Sequence, residues 1–143
     1  MTDSDTLKSL YQFVQSGYQG TIHEEIPAKF DAVASDLESW IVFYADRIDG
    51  DPHRRTQGER ARIRVTARAY GRKGGNIYTS FTEAQAVKDL LHQAVIPIRD
   101  YDESGEPQIG TLMLEEATIT RMKEEDSQWQ EHLVTVEGTA YPE

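Results

Sequence analysis

Between Glu59 and Arg72, apolar and polar side chains alternate without a break. The odd positions are Ala61, Ile63, Val65, Ala67 and Ala69; the even positions are Arg60, Arg62, Arg64, Thr66, Arg68 and Tyr70. Alternate residues of an extended chain point to opposite faces, whereas a helix would spread both kinds around its whole circumference. The pattern therefore predicts a long strand buried on one face only. Its other face carries a row of guanidiniums, which repel one another unless carboxylates, phosphates or a partner answer them.

The remaining elements are placed around this strand. Leu7, Leu10, Tyr11 and Val14 recur at helical spacing and predict an amphipathic helix over 4–16, capped by Asp3 or Ser4 and closed by Gly17 and Gly20. Thr21-Ile22-His23 reads as a short strand. Pro27 followed by Phe30, Val33, Ala34 and Leu37 fits either a short helix with proline in its first turn or an irregular connection. Trp40 to Ala45 is a bulky apolar run, expected of a strand covered on both faces. Residues 46–58 carry Gly, Pro and mixed charge without periodicity. They read as a long loop joining two strands into a hairpin, well beyond the usual length of about 2–5 residues, which marks it as a functional candidate.

A glycine-rich loop at 71–80 lacks both the P-loop lysine and G-x-G-x-x-G, so turn chemistry accounts for it. A helix is predicted over 80–96, with Ala84, Val87, Leu90, Leu91, Ala94 and Val95 on its apolar side, a Ser80–Glu83 capping box and Pro97 as its stop. An acidic turn follows at 99–110. Asp100, Asp102, Ser104 and Gly105 imitate the start of a calcium loop, but Thr111 stands where the bidentate glutamate belongs, so a plain turn is expected. Residues 111–123 and 129–140 read as a terminal hairpin with a bulge near Glu115-Glu116. The sum is one α+β domain over residues 1–143: an antiparallel sheet of about four main strands, with an N-terminal and a central helix packed on one face.

Charge sharpens this picture. The chain of 143 residues has a net charge of −10, but the charge is segregated. Residues 54–73 balance at +7, residues 1–53 at −7, and residues 100–143 at −10. Two readings stay open: acidic strands flank the basic strand within one sheet, or opposite patches meet between copies of the chain. Glu115, Glu116, Glu131 and Glu137 are the carboxylates placed to answer Arg60, Arg62, Arg64 and Arg68. The overall acidity argues against a dedicated DNA-binding protein.

Candidate chemistry is sparse. With no cysteine, disulfides and thiolate sites are excluded. His23, His53, His92 and His132 stand alone, without metal-ligand spacing, and His92 and His132 read as surface residues of a helix and a strand. No G-x-S-x-G occurs. The sequence calls for no cofactor or metal and points away from an enzyme. The start, M-T-D-S-D, is not a signal peptide, and no apolar run approaches the roughly 20 residues of a membrane span, so a soluble cytoplasmic protein is expected.

The order of elements resembles the tail terminator (tail completion) proteins of long-tailed bacteriophages and related prophage neck proteins. The likeness covers nearly the whole chain. It rests on L-K-S-L-Y-Q-F-V, then I-P-A-K-F-D-A-V-A-S-D, then W-I-V-F-Y-A, the long charged loop, R-I-R-V-T-A-R-A-Y, one helix, and a closing hairpin ending W-Q-E-H-L-V-T-V-E-G. A similar P-A-x-F-D precedes the first long strand of the lambda-like member. Each signal is weak alone, and the arginine-rich strand is a departure.

The resemblance implies a homohexameric ring that caps the head-proximal end of the tail tube, ends its polymerisation and meets the head completion protein. DNA passes through the lumen without specific binding, no membrane is involved, and the protein, assembled in the host cytoplasm, resides in the virion. The family transfers no functional residues one by one. From this chain's own pattern, the expected subunit or partner interface is Arg60, Arg62, Arg64, Arg68, Glu115, Glu116, Glu131 and Glu137. The expected tube-contact loop is Arg47, Asp49, Asp51, His53, Arg54 and Arg55. The competing readings are another neck or tube component, or an adaptor outside phages that grips an acidic partner with its arginine face.

Overall fold

The computed structural model describes residues 1–20, 22–23, 39–48, 60–72, 79–122 and 129–143. Within them lie helices α1 (Asp3–Gly17) and α2 (Thr79–Leu91). The strands are β1 (Ile22–His23), β2 (Ser39–Arg47), β3 (Ala61–Arg72), β4 (Val95–Arg99), β5 (Gln108–Leu114), β6 (Thr118–Arg121) and β7 (Trp129–Pro142). The strands form one sheet in the order β1-β2-β3-β7-β5-β4, with β6 also on β7. All pairings are antiparallel except β1 on β2. The α+β class and the two helices on one face are as expected; the sheet is larger than four strands.

β3 is central. It pairs with β2 from Ser39↔Gly71 to Arg47↔Ile63, and with β7 along its full length, from Ala61↔Ala140 to Arg72↔Trp129. The expected alternation holds: Ala61, Ile63, Val65, Ala67 and Ala69 are buried on the inner face. There they join Ile41 and Phe43 of β2, Val134, Val136 and Ala140 of β7, Leu10 and Val14 of α1, and Ala84, Val87 and Leu91 of α2 in one core. The small side chains of β3 let α2 approach closely. At Gly71 a Cβ would stand 2.6 Å from the Ser80 backbone nitrogen, so no larger residue fits without moving the helix.

β2 is buried on both faces at its start, as its bulky sequence predicts. Ile41 and Phe43 face the core, while Trp40 and Val42 face outward into a second cluster with Tyr70, flanked by Tyr44. The long hairpin between β2 and β3 is present, but β2 runs on through Arg47, and Ile48 still donates its N–H to Arg62 O (3.0 Å).

The helices depart from expectation in detail. α1 is capped by Thr2, not Asp3 or Ser4: Thr2 Oγ1 accepts from Asp5 N–H, and the Asp5 carboxylate accepts from Thr2 N–H at 2.8 Å. Leu7, assigned to the apolar stripe, is 39% exposed, and Thr6 and Ser9 are buried instead. Ser9 earns its burial by accepting the Arg99 backbone N–H of β4 (3.0 Å).

α2 stops at Leu91, five residues short of the expected end. Gln93 turns the chain in the left-handed region (φ 53°), a position usually held by Gly or Asn, so the local sequence carries no stop signal. Val95 and Ile96 then belong to β4, and Pro97 sits inside that strand. Proline is tolerated there because β4 ends the strand order. The Ser80–Glu83 capping box does not form. Ser80 Oγ lies 2.8 Å from His132 Nδ1, and Glu83 accepts from the Tyr18 hydroxyl and from Ser39 Oγ (3.2 Å). Burial first, and the neighbouring Glu83 second, push the Tyr18 phenol well above its usual range.

The expected bulge near Glu115-Glu116 is a full break between β5 and β6, which share one edge of β7. The turn out of α2 satisfies it: Gln93 N–H donates to Glu115 O (2.9 Å), and Ala117 N–H donates to His92 Nδ1 (3.1 Å). Residues 24–38, with the expected Pro27 helix, lie outside the described residues.

Candidate functional site

The outer face of β3 and its neighbours holds every described charge of the arginine row, and it divides into two ends. At one end the row is closed within the chain. Arg62 makes a two-pronged contact with Glu115 (3.0 and 2.8 Å) and a third bond to Glu137 (2.9 Å); Arg64 takes the other Glu137 oxygen at 3.0 Å. Arg64 stands directly opposite Glu137 on β7, and Glu115 enters from the break after β5. The donors pull both carboxyls below their usual range: hydrogen bonds from Arg62 act on Glu115, and those from Arg64, then Arg62, act on Glu137.

At the other end Arg68 lies 3.5 Å from Glu131, beside the stacked rings of Trp40 and Tyr70 (centroids 5.2 Å apart). Arg68 Nε and Glu131 Oε1 are both buried and share no hydrogen bond of good geometry. Burial works against the Arg68 charge, but Tyr70, Tyr44 and Glu131 outweigh it and the guanidinium is held more firmly protonated.

Of the expected interface residues, Arg62, Arg64, Arg68, Glu115, Glu131 and Glu137 are thus brought together inside one chain. Glu116 is not among them; it is exposed and makes no ion pair among the described residues. Arg60 is exposed too and lies over the Tyr141 ring at 4.9 Å, with no carboxylate partner among the described residues. Arg47 is not a loop residue. It closes β2, on the helix-covered side, and bonds Asp3 of α1 at 3.3 Å. Asp49, Asp51, His53, Arg54 and Arg55 lie outside the described residues.

The ladder reveals a row that the sequence did not. Arg62 is paired with Thr139, Thr139 with Met113 and Met113 with Val95, and Ile48 abuts Arg62 from β2. Directly paired residues share a face. The outer face therefore carries Ile48, Met113 and Val95 in one line, 38%, 49% and 60% exposed. In the sequence Val95 falls on the helical period of the preceding helix, which hides its place in a strand. Met113 is masked by apolar neighbours on both sides, Leu112 and Leu114, which face inward.

Between α1 and β2 lies an open groove of about 380 Å³, lined by Leu7, Tyr11, Phe43 and Ala45 with Lys8 and Gln12 at its polar side. β1 covers only Ile41 and Val42 of β2, so the strand's second edge is open from Phe43 onward among the described residues.

His132 is half-buried on the helix-covered face rather than a surface residue. Its contact with Ser80 resembles a nucleophile–base pair, but Ser80 is fully buried, and the contact ties α2 to β7. Among the described residues no group of His, Asp and Glu could hold a metal, and no helix is long and apolar enough to cross a membrane. No family model matches the chain, and no curated protein matches it either.

Proposed function

We propose that the chain is a structural virion protein of the tail-terminator type: a ring that caps the head-proximal end of a phage tail tube, ends tube polymerisation and offers the joining surface to the head completion protein. The observation that supports this reading best is the order of elements. An N-terminal helix, a strand buried on both faces, a long-looped hairpin into β3, one helix and the closing β6–β7 hairpin come in the order the resemblance implies, with β4 and β5 standing between the helix and that hairpin.

The surface chemistry is consistent with it. A closed ring needs an interface in which one patch of a subunit meets a different patch of the next. The outer sheet face and the α1–β2 groove are two such unlike patches. A net charge of −10 disfavours adhesion of DNA passing through a lumen. The adaptor reading is weakened, because Arg62, Arg64 and Arg68 already face carboxylates of their own sheet.

The test is to add the purified chain to polymerising tail-tube protein from the same genome and image the product by negative stain. Shortened tubes carrying a ring at one end are the expected result. Tubes of unchanged length with bare ends would refute the reading.

A further inference from the structure

We draw no further inference here: the strongest candidate, the open groove between α1 and β2 lined by Leu7, Tyr11, Phe43 and Ala45, is a surface for which nothing in the structure shows what covers it.

Discussion

Arg68 with Glu131 and Arg62–Arg64 with Glu115–Glu137 use the same residue types on the same face of the same strands, yet their surroundings differ. The Arg62–Arg64 group is the more open of the two, with Arg64 and Glu115 exposed and Arg62 and Glu137 half-buried, and its bonds are short and multiple. The Arg68 pair sits against the Trp40–Tyr70 stack, has one contact at 3.5 Å, and keeps a donor and an acceptor buried without a bond between them. Good geometry in water contributes little to stability, because each charge was already well solvated. Poor geometry in a half-buried place is more sensitive, because removing one partner strands the other. The alternating pattern of β3 thus specifies which residues share a face, while burial decides what each of them is worth.

The largest effect should come from the aromatic wall itself. Trp40→Ala opens the fully buried second cluster and should cost about 3–5 kcal/mol, the range for large-to-small core changes, measured by denaturant unfolding. A loss below about 1 kcal/mol would mean that the cluster does not set the environment of Arg68. Next comes Glu131→Gln, which leaves the Arg68 charge without its counterion. A loss of about 1–3 kcal/mol is expected, nearly insensitive to salt. Glu137→Gln is the control from the exposed end: it should barely change the melting temperature at neutral pH, and the small change should vanish in high salt. Equal losses for the two substitutions would erase the distinction between the two ends.

The smallest effect is on pH dependence. The folded carboxyls of Glu115 and Glu137 are held below their unfolded values, so the native state binds protons less readily than the unfolded chain. Their stabilisation is therefore present above the ordinary carboxylate range of about 4.3 and is lost as pH falls through the depressed folded values. Melting temperatures measured from pH 7 down to pH 3 should show an acid limb that is shallower in the E115Q/E137Q variant. An unchanged limb would place the acid sensitivity elsewhere.

The same contrast explains what could be read from the chain. β3 was legible because the eleven residues from Arg60 to Tyr70 repeat a period of two, and β2 because Trp40 to Phe43 are apolar on both faces. Glu115, Glu131 and Glu137 were legible as counterions from charge and strand order. Features set by tertiary contact were not. α2 ends at Leu91, and Gln93 then turns the chain through backbone conformation alone, so Val95 and Pro97 read from sequence as part of the helix and its stop. Ser80 and Glu83 fit a capping box locally, but a half-buried histidine and a buried tyrosine take them instead. The outer row of Ile48, Met113 and Val95 depends on the register of five strands, which no local window contains.

The most direct test of the central claim is the mass and shape of the purified wild-type chain over rising concentration, by sedimentation velocity with negative-stain imaging. The account predicts one discrete closed species, a ring of about six copies, as the resemblance implies, whose size stops growing once formed. A monomer at every concentration, or an open filament that lengthens as concentration rises, would contradict it.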